Sequence, residues 1–577
     1  MMPINLDDKK IYMPIVIILL AVFFSALLYE SSRKSITVDE ISHIPSGYSK
    51  IKTGDFRLNL EAAPLVDMLS SLPLLLINPK LPIEHKSWSL AKDNEFEGQY
   101  HWDFGEEFFY NSGNDPDTIL HYARIPIMLL SVLLGIVIFL FSKKLFGTKA
   151  ALFSLVLYVF NPTIIAHSSL ATIDIGSAFF SFLAVYFFWK FINDISLRNI
   201  ILAGITFGAA QLSKFTAIYL FPVYVILAII IIYKKRNPEV PLGKSVTSRK
   251  AMLFYGLVAL IFVIGMLTII LGYFVVGFPK YIDGMKYVLF HTDTGHPSYL
   301  MGEHSRSGWW YYYLVAFLIK EPVPLLILIL LSIVFFKGIR HQNSINEFFI
   351  IVPIAVLVLI SMFTKINIGI RHLLPIYPFL FIFVGRIVNL KFHIQKIFFL
   401  TLILLSIWYI SESVQIYPND LAYFNEIIGG PKNGAGFLLD SNIDWGQDLK
   451  GLKAYLDEKS IQNIRMGYWG KDRASYRGIN YTQVNCYPET GLVAVSVNYL
   501  YGISEENSQC LSWLMKYKPI SNIGHSILIF DINEDIDTLK AGDKFCEDNC
   551  IDFCNVNAVR YFKSEFVNGS CECECEK

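Results

Sequence analysis

Before Cys486 the chain has no cysteine, so neither a disulfide nor a thiolate works anywhere in its first 485 residues. It also lacks net charge. Its 49 basic and 49 acidic residues cancel, which removes the polycationic surface that a nucleic-acid partner requires. No internal repeat is evident, and Ile11 to Tyr29 passes nineteen positions without a charge. What is abundant is apolar: 54% of residues are hydrophobic, 15% are aromatic, and the mean hydropathy is +0.45. A soluble domain has no surface that could solvate this composition; the chain reads as a membrane protein.

Eleven apolar segments are expected to span the bilayer: Ile11 to Tyr29, Ile125 to Phe141, Ala150 to Ala166, Ile175 to Trp189, Asn199 to Leu212, Phe215 to Tyr233, Ala251 to Phe278, Trp309 to Phe336, Phe348 to Phe363, His372 to Gly385 and Ile397 to Ile410. The first is followed by "ESSRKS" rather than a small-residue cleavage site and is expected to stay as an uncleaved helix. "KEPVP" at Lys320 to Pro324 interrupts Trp309 to Phe336, predicting an interfacial helix followed by a short span. With the N-terminus inside, eighteen Lys and Arg residues fall on the cytoplasmic face. The short loops opposite carry six: Lys214, Lys280, Lys286, Arg306, Lys365 and Arg371. An odd number of spans then puts residues 411–577 outside the cell.

This division gives two domains, a transmembrane domain over 1–410 with a first outer loop at 30–124, and an extracytoplasmic α/β domain over 411–577 with a Cys-rich tail. In the latter, "GFLLDSN", "NIRMGYWG", "LVAVSVNYL" and "HSILIFDI" read as strands, and "DLKGLKAYLDEK" as a helix. Outside the cell disulfides persist, and bridges are favoured over zinc for the eight cysteines. The tail "CECECEK" and the Cys546, Cys550, Cys554 spacing keep a metal cluster open. Two sequons, at Asn480 and Asn568, lie in the same domain.

The polar residues collect on the outer face. Asp39, Glu40, His43, Asp55, Arg57 and Glu61 lie in the first outer loop, Arg124 opens the second span, and His167 and Asp174 flank the turn after the third. Lys214 sits in the next outer turn, and "KINIGIRHLLP" brings Arg371 and His372 to the start of a span. A carboxylate next to a membrane exit has its proton affinity raised by desolvation and lowered by neighbouring cations, the setting in which a general base is tuned. Arginine's planar donors suit phosphate oxygens, although Arg371 also fits a snorkelling anchor. Carboxylates with cations beside an apolar groove describe a site for a phosphorylated lipid and a second polar substrate.

These stretches occur together in one known group. "DEISHIPSGYSKIKTGDFRLN", "HYARIPIMLLSVLLG", "HSSLATIDIG", "QLSKFTAIYL", "HPSYLMGEHSRSGWWYYYLVAFLIKEPVP" and "GIRHLLPIYPF" resemble the phospholipid-carrier-dependent glycosyltransferases of the family 39 type. Those are relatives of protein O-mannosyltransferases and of the lipid A aminoarabinose transferase, with the α-helical polytopic GT-C membrane fold. "YPNDLAYFNEIIGGPKNG" and "LLDSNIDWGQDL" are similar to an outer extension seen in one branch. The resemblance implies transfer of a sugar from a polyprenyl or dolichyl phosphate to a protein, lipid or polysaccharide acceptor on the outer face, with inversion. It implies Asp39, with Glu40, as the catalytic acids, Asp39 being the general base. Arg124, Arg371, His372 and Lys214 would hold the donor phosphate, and Glu61 would sit in a donor loop; Asp174, His167, Asp444 and Trp445 are candidate substrate contacts by their position alone. Where relatives have Glu-His-Pro-Pro this chain reads "EAAP" at Glu61, so that loop departs from the pattern. Trp445 either stacks on a sugar or packs beneath a capped helix start. No cofactor is implied as obligatory; a divalent cation between Asp39 and Asp174 stays open. The competing readings are a lipid-linked-sugar flippase or transporter, and a non-catalytic envelope protein that binds glycan or lipid.

Overall fold

The computed structural model describes residues 8–93, 100–236, 248–339, 345–390, 395–503, 510–533, 560–567 and 570–576. Helix α1 (Lys9–Arg33) begins where Asp8 accepts the backbone N–H of Lys10 at 2.9 Å. Its 25 residues extend about 37 Å, more than the hydrocarbon thickness of a bilayer. A sharp turn leads to α2 (Glu40–Thr53), and α3 (Pro64–Ser71) packs back across it. The contact depends on Gly47, because a Cβ there would lie 2.0 Å from the carbonyl oxygen of Asp67. Helix α4 (Pro116–Phe146) starts at an Asp115 cap with proline in its first turn and ends at Gly147, with φ +89°.

Seven described helices are long and apolar enough to cross a membrane, and nine spans result if each of two bent pairs is counted once. The chain is a multi-pass membrane protein, but the expected eleven is not the count that length and composition give. Helix α5 (Ile173–Asn193) is long enough. Two of the expected spans, α6 (Leu197–Ser213) and Ile345–Ser361, have only 17 residues each. The bent pairs are Thr148–Val159 with Pro162–Ser168, at 63°, and Tyr312–Lys320 with Val323–Val334, at 114°. Proline follows each break, where it removes a helical N–H and clashes with the preceding turn. At the second break Lys320 donates to the carbonyls of Leu421 and Asn442, and Glu321 accepts from Asn161, Thr163 and Tyr377, so both charges are satisfied internally.

Helices differ in how much they face lipid. α7 (Ser248–Gly272) and α8 (Gln395–Ile416) are peripheral, with 28% and 22% of their apolar windows buried. α7 is fastened to α6 through small residues, since a Cβ on Gly208 would meet the carbonyl of Gly265 at 2.5 Å. The spans at Ile370–Asn389 and α5 are the central ones, 78% and 67% buried. Arg371 and Asp174 stand at the starts of these two central helices.

Residues after α8 carry the sheet. Its order is Tyr481–Gln483, Ile464–Gly467, Gly491–Ser496, Ile527–Ile532, Ser521–Ile523; the first three strands run parallel and the rest antiparallel. Helix α9 (Leu449–Glu458) covers it through Leu449, Leu452 and Leu456. Three expected strands and the helix are present. "GFLLDSN" is not a strand: one bridge joins Leu438 to Leu300, after which Asp440, at φ +59°, turns the chain. Ser441 then donates to the carbonyl of Ile368, and Asn442 accepts from the N–H of Ile370, so the segment is tied to the transmembrane half instead. Cys486 and Cys510 form a disulfide. Cys546, Cys550 and Cys554 and the Asn568 sequon lie outside the described residues. Arg560–Val567 and Ser570–Glu576, which carries Cys571, Cys573 and Cys575, pair as an antiparallel hairpin.

Candidate functional site

Asp39 and Glu40 are consecutive, so one turn of backbone sends their side chains in different directions. Glu40 points inward, where Arg124 grips it with Nε and Nη2, each at 2.7 Å. Its oxygens also accept from the Thr37 N–H and hydroxyl and from the Ala171 N–H. Burial acts to raise its proton affinity, but Arg124 and these donors outweigh burial and hold the carboxyl below its usual range. The remaining N–H groups of Arg124 go to the carbonyls of Ser31, Lys34 and Ser35. All five donors of a guanidinium are thereby used. Arg124 has none left for a phosphate, and Glu40 is saturated as an acceptor; both depart from their expected roles and instead fix the exit of α1.

Asp39 faces the other way and is partly exposed. Its Oδ2 accepts from Nη1 of Arg371 at 2.5 Å. The same Nη1 lies 3.8 Å from Asp174, whose other oxygen is 2.7 Å from Lys214 Nζ. Among the described residues the Arg371 side chain makes no other hydrogen bond, and its buried Nε has no partner. Four expected residues, Asp39, Asp174, Lys214 and Arg371, thus form one chain of alternating charge. The Arg371 guanidinium occupies the space between Asp39 and Asp174, where a shared cation was considered. Among the described residues no group of three or more His, Cys, Asp and Glu side chains is arranged to hold a metal.

Trp445 lies under this chain. The Arg371 guanidinium carbon is 4.3 Å from its ring centroid, and His167 meets the ring edge-on at 5.9 Å. Both Trp445 and His167 are buried, so Trp445 is packed, though against Arg371 and His167 and not beneath a capped helix start: the helix that begins after Asp448 has no side-chain cap. Asp444 is also fully buried. Its Oδ1 caps the turn at the Gly446 N–H, Oδ2 has no partner, and burial pushes the carboxyl up to about 8. These three support the site from below instead of facing substrate. His372 stands beside Tyr313 at the start of the Arg371 helix, its Nε2 buried and unpaired. Glu61 is apart from the group, in an ion pair with His291 at 3.5 Å. The hydrogen bond and charge of His291 hold its carboxyl low, though the side chain is half exposed.

Two further residues, visible in the sequence as polar loop positions but given no role there, join the site. Asp440 lies buried near Arg371, with burial raising its carboxyl against the lowering effect of that guanidinium. His43, four residues after Asp39, hydrogen-bonds Asp67 at 2.9 Å, and Lys50 takes the other Asp67 oxygen at 3.1 Å. The spacing of Asp39 and His43 was a readable signal; the partner Asp67 was not.

Residues 120–269 match the family described as dolichyl-phosphate-mannose-protein mannosyltransferase, over about a quarter of the chain. Arg124, His167, Asp174 and Lys214 fall within the matched segment, which bears out the glycosyltransferase resemblance read in the sequence. No curated protein sequence matches. Among solved structures the chain is similar to ArnT from Cupriavidus metallidurans in the apo state, at 12% identity and a TM-score of 0.46, covering 90% of this chain and 98% of that one. The same protein bound to undecaprenyl phosphate gives 12% identity and 0.46, covering 89% and 97%. The oligosaccharyltransferase AglB from Archaeoglobus fulgidus, in complex with an inhibitory peptide and a dolichol-phosphate, gives 11% and 0.42, covering 89% and 73%. Likeness at these scores assigns no residue a role.

Proposed function

We propose that the chain is an integral-membrane glycosyltransferase that moves a sugar from a polyprenyl or dolichyl phosphate to an acceptor on the outer face of the membrane. Asp39 is the general base. The acceptor hydroxyl attacks the anomeric carbon as Asp39 takes its proton, the bond from that carbon to the phosphate oxygen breaks, and the leaving phosphate is held by Arg371 and Lys214. A single displacement of this kind inverts the anomeric centre. The site belongs to the outer face because the short loops on its side carry six basic residues against eighteen opposite. The same count puts the N-terminus in the cytoplasm and residues 411–577 outside.

The observation that carries this reading is the Asp39–Arg371–Asp174–Lys214 chain. Without substrate each cation is already bonded to a carboxylate, so an arriving phosphate competes with Asp39 for Arg371. Binding of the donor phosphate thereby frees the base. A transporter needs no such pairing of a poised carboxylate with phosphate-binding cations. The test is transfer of labelled mannose from dolichyl phosphate mannose by membranes carrying wild type or Asp39→Asn; undiminished transfer by the variant removes the assignment.

A further inference from the structure

The mechanism leaves one residue on the site's own helix unused. His43 follows Asp39 by four positions, and its N–H makes the first helical hydrogen bond back to the Asp39 carbonyl, at 3.0 Å. The two side chains are therefore about one turn apart on the same face of α2, a separation of about 6 Å along the axis. The imidazole is fixed from behind: Nδ1 meets Asp67 Oδ1 at 2.9 Å, with the Asn59 amide 3.3 Å away, and Asp67 is itself held by the buried Lys50. Gly47 makes this possible by letting α3 close on α2 at Asp67. Among the described residues Nε2, on the opposite side of the ring, has no hydrogen-bond partner, and it is not one of the fully enclosed unsatisfied atoms; the side chain keeps 10% of its exposure. An oriented imidazole with one free nitrogen beside the base is arranged to bind something.

We propose that His43 contacts the transferred sugar, its Nε2 hydrogen-bonding a hydroxyl of the donor's pyranose ring while Asp39 works at the reacting end. This rests on the activity proposed above and adds to it where the sugar lies. The charges around His43 decide for a hydroxyl over a phosphate. Asp67, Asp39 and Asp174 all act on the ring, His101 faces it, and the one cation bonded nearby, Lys50, is committed to Asp67. Arg371 and Lys214 are bonded to Asp39 and Asp174 instead. Burial lowers the ring's proton affinity, but Asp67 and the other two carboxylates raise it further. With Asp67 holding the Nδ1 proton, Nε2 accepts in the neutral ring and donates in the charged one. A sugar hydroxyl pairs with either.

The test compares binding of dolichyl phosphate mannose and of dolichyl phosphate to the full-length protein in lipid nanodiscs. His43→Ala is expected to weaken the mannose-bearing carrier about tenfold, the loss of one hydrogen bond to a partly charged group, and to leave dolichyl phosphate within about twofold. His43→Gln, which keeps a polar group of similar reach and the packing against α3, is expected to recover most of that loss and shows that the effect is not misfolding. Equal weakening of both carriers would make His43 a phosphate contact and overturn the inference. So would an unchanged affinity for dolichyl phosphate mannose in both variants, or a wild type that does not distinguish the carriers. Failure of the activity reading registers elsewhere, as transfer that survives Asp39→Asn, and leaves the binding difference intact.

Discussion

Two ion pairs made by neighbouring residues, Glu40 with Arg124 and Asp39 with Arg371, have the same chemistry and opposite states of completion. Arg124 spends five hydrogen bonds inside the protein, whereas Arg371 makes one and leaves a buried Nε unsatisfied. A saturated pair has no capacity for a ligand, so its contribution is to position the chain. An unsaturated pair stores unfilled hydrogen-bonding capacity, which a phosphate with several acceptor oxygens can use. The difference between scaffold and site in this protein is therefore read from the number of donors in use, and residue type alone does not disclose it.

The comparison breaks first at Asp39. Replacement by Asn is expected to lower transfer from dolichyl phosphate mannose about a thousandfold while the protein extracts and melts as wild type does, as measured by the labelled-mannose assay beside a thermal melt. Next is Arg124→Ala, expected to cost about 3–5 kcal/mol by leaving the buried Glu40 uncompensated, and read as loss of folded protein after detergent extraction. Arg124→Lys should fail similarly, because three donors cannot replace five in fixed directions. A variant at Arg124 that folds normally but binds donor poorly would reverse the assignment of the two pairs.

Smaller effects sharpen the contrast. Gly47→Ala is expected to cost about 1–3 kcal/mol by forcing α2 and α3 apart, seen as a lower melting temperature. Asp444→Asn tests the floor of the site through pH. The Asp444 carboxyl is pushed by burial from 3.8 to about 8, so its contribution to stability is intact below 3.8 and is lost as pH rises toward 8. The amide does not ionise. The variant's melting temperature is expected to gain on wild type progressively between those limits and to run parallel above them.

Much of the architecture was legible because bilayer thickness and apolar runs are one-dimensional properties. The membrane class, most spans, the break at "KEPVP" and three of the five strands of the C-terminal sheet followed from them. The count of eleven turns on α6 and Ile345–Ser361, which at 17 residues each stand at the short end of the crossing range. Of the site, Asp39, Asp174, Lys214 and Arg371 were readable as polar residues at the ends of apolar segments. What separates Asp39 from Glu40 was not, because their partners lie 332 and 84 residues away in sequence. The same holds for "GFLLDSN", whose β-like composition is overridden by hydrogen bonds from Ser441 and Asn442 to the Arg371 loop.

The segment after α1 is stitched to the far end of the chain. Ser35 N–H bonds the carbonyl of Gln447, Val38 N–H that of Trp445, and Lys34 pairs with Asp448, 414 residues later. Ribosomal synthesis at about 5–20 residues per second separates these partners by roughly 20 to 80 s. During that interval Asp39 is already delivered to its side of the bilayer without its guanidinium or the indole beneath it. The segment that carries Asp39 is thus not tied down until residues 445–448 have been made, and a chain terminated at residue 410 would carry Arg371 and Lys214 yet lack the indole beneath them.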